Sequence, residues 1–225
     1  MPKICYVFAS RSRPNKFFST LDNLQDMSYS DNYTVIAKLD EDDKTMNNPE
    51  VRERLLDYPE VTVKWGLSKN KIHAINRDLE NIPPCGIMII QSDDIVWTQF
   101  AFDDEIREAF EKHFPGLDGT VHFPEAHAKK STIIVSMIGV NMYNKLGYMY
   151  HPSYESVYSD NDFTEMARLM GKYAYVHKEI FVHRHPIWQE SKTEWDAQYR
   201  ASEHPDVYKR DKDTYNKRKE INFGV

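Results

Sequence analysis

The stretch Gly86-Ile87-Met88-Ile89-Ile90-Gln91-Ser92-Asp93-Asp94-Ile95-Val96-Trp97 constrains the chain more than any other. An unbroken apolar run of strand length, with no polar alternation, reads as a strand buried on both faces. Such a strand belongs in the middle of a sheet with helices on either side. It ends at two adjacent carboxylates, Asp93 and Asp94, where the strand leaves the sheet. In open α/β sheets the ligand crevice lies beyond the carboxyl ends of the strands. Two acids side by side repel, so a positive group is expected against them. A solvated turn or a helix N-cap is the plain alternative, since Asp suits both.

The flanking text alternates strand and helix. Lys3 to Ala9 is a β-branched and aromatic run, hence a first strand, and it stops at Ser10-Arg11-Ser12-Arg13-Pro14. Ser12 can cap a helix that Pro14 opens and that Phe17, Phe18, Leu21 and Leu24 bury. A polar turn with two arginines before a helix can receive an anion, or the arginines are simply solvated. Tyr33 to Leu39 is strand two, followed by Asp40-Glu41-Asp42-Asp43. A helix from Asn48-Pro49 to about Tyr58, a strand Val61 to Trp65, and a helix capped by Ser68 with Ile72, Ile75 and Leu79 inward come next. After the central strand a helix covers Phe102 to His113. Intervals this short predict a mostly parallel sheet with helices on both faces.

The second half changes character. Thr120 to Phe123 and Thr132 to Val140 read as strands, and Asn141 to Leu146 as a short helix ended by Gly147. The Tyr-rich loop 148–154 leads to a helix opened by Ser159-Asp160-Asn161-Asp162 and ended by Gly171. Lys172 to Val182 is a last strand or hairpin reaching His183-Arg184-His185-Pro186. From Trp188 the chain is charged and lacks a strong apolar period. That tail packs over the domain through Trp188, Trp195, Tyr199 and Tyr208, or docks a partner.

With 40% hydrophobic and 28% charged residues the chain is neither disordered nor a membrane protein. No apolar run approaches the roughly 20 residues that span a bilayer. The first residues meet Arg11 and Arg13 too soon for a signal peptide. Cys5 and Cys85 offer neither a disulfide framework nor zinc-ligand spacing, which points to a reduced, cytoplasmic setting. A net charge of -6 disfavours a protein held mainly by nucleic-acid phosphates, while leaving room for a local basic patch.

The order of these signals resembles a GT-A glycosyltransferase, family-2-like, of the kind found in bacteria and their phages. The residues that carry the resemblance are the arginine loop after strand one, the acidic end of strand two, Asn70-Lys71-Ile72-His73-Ala74-Ile75-Asn76, the Asp93-Asp94 strand end, Gly147 to Tyr154, Ser159-Asp160, and His183-x-His185. The resemblance covers roughly residues 3 to 186. It implies a single α/β domain over 1–187, with donor-binding and acceptor-binding halves at about 1–97 and 98–187, and a helical tail over 188–225.

It also implies roles. Ser10, Arg11, Asp40, Lys71, Asn76 and Asp93 would hold the donor, with Arg13 and Asp42 as neighbours. Asp94 would bind Mn²⁺ or Mg²⁺, and His183, or His185 in its place, would complete the metal shell. Asp160 would be the general base, with Tyr154 and Asp162 on the acceptor side. Ser92 stands where the family often carries the first acid of its DxD-type pair. The expected reaction moves a sugar from a nucleotide diphosphate sugar, UDP-linked by preference, to a hydroxyl of a glycan or lipid-linked sugar, or of a hydroxymethylated base in phage DNA. Two alternatives stand beside it. A nucleotidyltransferase wants a Gly-rich loop after strand one, and none is present; a non-catalytic binding module would use the tail to recruit a partner.

Overall fold

β1 (Ile4–Ala9) and β4 (Ile87–Gln91) run side by side and parallel, with Ile4 opposite Ile87 and Phe8 opposite Gln91. Alternation sends Ile4, Tyr6, Phe8, Ile87 and Ile89 into one core and Cys5, Val7, Met88 and Ile90 into another. Period-two side chains on a strand covered on both faces require this split. β2 (Tyr33–Asp40) and β3 (Val61–Gly66) extend the sheet on one side in parallel. On the other side come β7 (Met137–Gly139) and β6 (Thr120–His122), antiparallel, and β8 (Tyr173–Tyr175), parallel to β6. The seven strands follow the order β3-β2-β1-β4-β7-β6-β8. The structure, a computed structural model, describes residues 1–188 and 193–225. Residues 189–192, at the head of the expected tail, lie outside the described residues.

Helices cover both faces. α1 (Pro14–Met27), α2 (Pro49–Arg54) and α4 (Phe102–His113) close the first core through Phe17, Phe18, Leu21, Val51, Ile106 and Phe110. α3 (Lys71–Asn76), α5 (Val140–Leu146) and α6 (Ser159–Leu169) close the second through Ile72, Ile75, Met142, Phe163 and Met166. The sheet is mostly parallel, as the sequence predicts.

Four local expectations are corrected. Ser12 is not the cap of α1: it stands in the left-handed region at φ 61°, its N–H donates to Asp43 Oδ2 at 2.6 Å, and Arg13 takes the cap position. Asn70, rather than Ser68, caps α3 by accepting from His73 N–H at 2.8 Å. That helix ends before Leu79, because Asp78 is left-handed at φ 54°. Of Thr132 to Val140 only Met137–Gly139 is strand.

The run Lys172 to Val182 divides between two sheets. β8 joins the main sheet, while β9 (Phe181–His183) pairs antiparallel with β5 (Ile95–Trp97). Buried Phe181, edge-on to Trp97 at 5.7 Å, anchors the second piece. Beyond it the tail forms α7 (Ala197–Ser202) and α8 (Pro205–Glu220). Among the described residues no helix is long and apolar enough to cross a membrane.

His122 on β6 supplies a stability prediction. Its side chain is buried, with Nδ1 2.8 Å from the Tyr173 hydroxyl, and burial, aided by the charge of Arg168, pushes its pKa down to about 4. The unfolded chain, near 6.5, then binds a proton that the folded chain refuses. Stability should therefore fall as pH drops from about 6.5 toward 4, by up to about 3 kcal/mol, and level off below. Urea unfolding at pH 7.5 and pH 4.5 checks this: His122→Asn should be less stable than wild type at pH 7.5 yet lose less on acidification. An equal acid slope in both proteins would show that other groups carry it.

Candidate active site

The carboxyl ends of β1, β2 and β4 open onto a cleft of about 840 Å³. Its walls include Ser10, Arg11, Arg13, Asp40, Asp42, Lys71, Asp93, Asp94, Asp160, His183 and His185. The β5–β9 pairing explains how a residue so late in the chain arrives there. It sets His183 opposite Ile95, and Arg184 N–H donates to the Asp94 carbonyl at 2.7 Å.

The two central acids each meet a basic side chain. Asp93 Oδ1 accepts from Arg13 Nη1 at 2.9 Å and Oδ2 from the Ser10 hydroxyl at 3.3 Å. Burial, with the neighbouring charge of Asp94, nevertheless pushes its carboxyl above the ordinary value against the pull of Arg13. Asp94 Oδ2 lies 3.3 Å from His183 Nε2. Burial pushes Asp94 up as well, but the hydrogen bond and charge of His183, with Ser92 and Lys71 behind them, outweigh it and hold this carboxyl below the usual range. Two adjacent carboxylates are thus driven apart by their surroundings.

Arg11 bridges Asp40 Oδ2 at 2.8 Å and Asp42 Oδ1 at 2.7 Å, so the ends of β1 and β2 neutralise each other. Asp40 Oδ1 is buried with no hydrogen-bond partner among the described residues. Asp43, not singled out in the sequence, shapes this rim. Its carboxylate accepts from Ser12 N–H, Thr45 N–H and the Thr45 hydroxyl, which holds the arginine loop in its left-handed turn. Lys38, also missed, is buried beneath the cleft and donates to the carbonyls of Arg77 and Asp78 at 2.5 and 3.0 Å. Burial lowers its pKa to about 8.

Asp160 lines the cleft from the first turn of α6. It does not cap that helix: Tyr158, left-handed at φ 60°, takes the cap position. A helix N-terminus favours the carboxylate, and the N–H of Asn161 donates to Oδ1 at 2.9 Å. Burial outweighs both and raises its pKa, the direction a base needs.

Three expected residues stand elsewhere. Asn76 does not line the cleft; it clamps the Tyr-rich loop, donating to the Tyr150 carbonyl at 2.6 Å and accepting from Met149 N–H at 2.9 Å. Tyr154 and Asp162 are both 1% exposed and bonded to each other at 2.8 Å, with Arg218 Nε on Asp162 at 2.5 Å. Residues two apart on a helix cannot share a face, so α6 cannot turn Asp160 toward the cleft and Asp162 with it.

The fit of a divalent cation rests on Asp94 and His183. Asp94 Oδ1 is buried without a hydrogen-bond partner among the described residues, and His183 turns Nε2 toward the same carboxylate, 3.3 Å from Oδ2. His185 is instead engaged with Glu203, Nε2 to Oε1 at 2.9 Å. No group of three or more His, Cys, Asp or Glu converges as a cage among the described residues. A two-residue donor set suits an ion whose remaining ligands are water and substrate phosphate.

α7 lines the cleft from the tail. The Tyr199 hydroxyl donates to Asp94 Oδ2 at 3.1 Å, and Asp196 accepts from Arg13 Nε and Nη2 at 2.8 and 2.6 Å. Tyr199 is legible in the sequence as a packing residue of the tail; Asp196 could have been found as the N-cap of a short helix, which it is.

No protein-family model matches the chain, and no curated protein sequence matches it. Solved structures do. A mannosyltransferase from Pyrobaculum calidifontis, in complex with GDP-Man and Mn²⁺, superposes with a TM-score of 0.63 at 16% identity, over 81% of this chain and 56% of its own. TarS 1-349 of S. aureus with UDP-GlcNAc gives a TM-score of 0.64 at 12% identity, over 92% of this chain and 64% of its own. The same TarS fragment with UDP gives 0.60 at 11% identity, over 80% and 60%. The chain therefore spans less than two thirds of the proteins it superposes on. Its fold is the GT-A fold of nucleotide-sugar glycosyltransferases.

Proposed function

We propose that this protein transfers a sugar from a nucleotide diphosphate sugar to an acceptor hydroxyl, with inversion at the anomeric carbon. One observation carries the reading: Asp94 with His183 against it, and Asp160, line the same cleft at the carboxyl ends of a GT-A sheet. Arg11, Asp40 and Asp42 rim the part suited to base and ribose. Asp40 Oδ1, buried with no hydrogen-bond partner among the described residues and with Arg77 Nη2 no nearer than 3.8 Å, is an acceptor for a base or ribose donor. Ser10, Arg13, Lys71 and Asp93 line the path to the diphosphate.

Asp94 and His183 are the residues that would hold a divalent ion, and imidazole in the donor set favours Mn²⁺ over Mg²⁺. When bound, that ion would offset the charge gathering on the leaving diphosphate. Asp160 takes the proton of the acceptor hydroxyl as its oxygen bonds to the anomeric carbon. The bond from that carbon to the phosphate oxygen breaks, and its electron pair leaves with the nucleotide diphosphate. The GDP-Man and UDP-GlcNAc bound by the superposing structures make a guanosine or uridine donor the first to propose, with a glycan or lipid-linked acceptor. The free thiols of Cys5 and Cys85 are at home in a cytoplasmic setting.

A panel of UDP- and GDP-sugars with and without Mn²⁺ tests the reading by release of nucleotide diphosphate. Metal-dependent release is expected from at least one donor, and Asp94→Ala should lower it by about a hundredfold. Glycan, lipid-linked and hydroxymethylated-DNA acceptors then compete for the label. Silence across the panel from folded protein would leave a binding module instead.

A further inference from the structure

α7 presents to the cleft the charges that a ligand would otherwise bring. Tyr199, 4% exposed, places its hydroxyl on Asp94 and its ring 3.9 Å from the Arg13 guanidinium. Asp196 holds Arg13 through two nitrogens and lies 3.6 Å from Lys16. On the other side Glu203 holds His185. A diphosphate would bring negative charge to Arg13 and Lys16; Asp196 already supplies it. A cation would bring positive charge to Asp94; the Tyr199 O–H dipole already points there.

We infer that α7 is an autoinhibitory strap, a self-ligand that nucleotide diphosphate and its divalent ion must displace from Arg13 and Asp94. This rests on the nucleotide-sugar reading above. The strap can release without unfolding what surrounds it. α7 has six residues, too few to be helical alone, so its contacts with the cleft maintain it. α8 is anchored separately. Asp211, fully buried, accepts the N–H groups of Glu155, Ser156 and Val157, and Arg218 pairs with Asp162. None of these anchors touches Arg13, Asp93 or Asp94. A competing closed state lowers apparent affinity by the fraction of molecules that occupy it, so loosening the strap should tighten nucleotide binding.

Two conservative variants of the full chain separate the strap from a binding element. Asp196→Asn keeps a favoured N-cap for α7 while removing the charge from Arg13. Tyr199→Phe keeps the ring against Arg13 and removes the hydroxyl from Asp94. UDP and GDP, each with Mn²⁺, are titrated by calorimetry and by tryptophan emission. Trp195, 40% exposed and edge-on to His185 and Tyr199 at 5.9 and 6.2 Å, reports on α7, and Trp195→Phe assigns its signal. Each variant should bind the nucleotide about tenfold more tightly, and its emission before titration should already be shifted toward that of saturated wild type. Equal or weaker binding by the variants, with wild type binding normally, overturns the strap and leaves the nucleotide reading standing. Saturation of wild type with no change at Trp195 overturns it without recourse to any variant in the strap. Absence of binding by all three proteins overturns both readings together.

Discussion

Asp160→Asn should abolish turnover to within a small residue, a loss of about 10² to 10⁴ in kcat, while the affinity for nucleotide diphosphate stays within about twofold. The asymmetry follows from position. Asp160 stands on α6, and the donor-side charges come from the ends of β1, β2 and β4, from Lys71 on α3 and from β9. A group that only receives the acceptor proton acts in the transition state and contributes little to donor binding. The amide is nearly isosteric and keeps an oxygen to accept the Asn161 N–H, which Asp160 does at 2.9 Å. The pH dependence sharpens the test. Because burial raises the pKa of Asp160, the base form is lost on acidification at a pH above that of an ordinary carboxylate. kcat/KM should therefore fall as pH drops through that raised pKa, and the residual activity of Asp160→Asn should show no such limb. Loss of nucleotide affinity in parallel with turnover would instead put Asp160 on the donor, and the acceptor-base role would have to move elsewhere.

What could be read from the sequence was what local periodicity and strand ends encode. The apolar run at Ile87 to Ile90 showed a strand covered on both faces because each residue in it had to be apolar, and both cores now contain it. Gly147 and Gly171 ended their helices at positive φ for a reason that acts within one turn. Residues that depend on distant pairing were out of reach in that way. His183 meets Asp94 only because β9 leaves the run that begins at β8 and crosses to β5, a choice made by the burial of Phe181 against Trp97. The resemblance supplied that histidine; no spacing did. The resemblance put Asp162 and Tyr154 on the acceptor side, yet Arg218 from α8 made a buried ion pair the better place for Asp162. A tail with six of its α8 residues basic carries too little apolar period to announce that its acid Asp211 would be fully buried as a cap for another segment.

Arg107→Ala should destabilise the fold by about 3 to 5 kcal/mol without touching the cleft, because it leaves a buried charge uncompensated. Arg107 reads in the sequence as one more charged residue on an amphipathic helix, yet its side chain is 1% exposed and that of Asp103, one turn earlier, 0%. Its Nη1 meets Asp103 Oδ2 at 2.5 Å and Asp104 Oδ1 at 2.9 Å, while Nε and Nη2 donate to the carbonyls of Pro2 and Asn32 at 3.1 Å each. Asp103 in turn accepts from Tyr29 N–H at 2.8 Å and the Ser30 hydroxyl at 3.3 Å. One guanidinium thus ties α4 to the chain before β1 and to the chain before β2. Truncating it leaves the Asp103 carboxylate without its countercharge and takes a donor from the Pro2 carbonyl, while the Asn32 carbonyl keeps the Ile4 N–H at 3.2 Å. Removing both charges, in Arg107→Met with Asp103→Leu, should recover part of the loss, since the desolvation cost disappears with the pair. Recovery cannot be complete: the Pro2 carbonyl loses the Arg107 donor and the Tyr29 N–H loses the Asp103 acceptor. Urea unfolding of wild type, single and double variants reads this as a fall in midpoint at constant slope. A loss below about 1 kcal/mol for Arg107→Ala would mean that water reaches the pair. Nucleotide affinity, measured on the folded fraction, should be the same in all of them, because the residues this network joins lie at the amino ends of β1 and β2 and the cleft lies at their carboxyl ends.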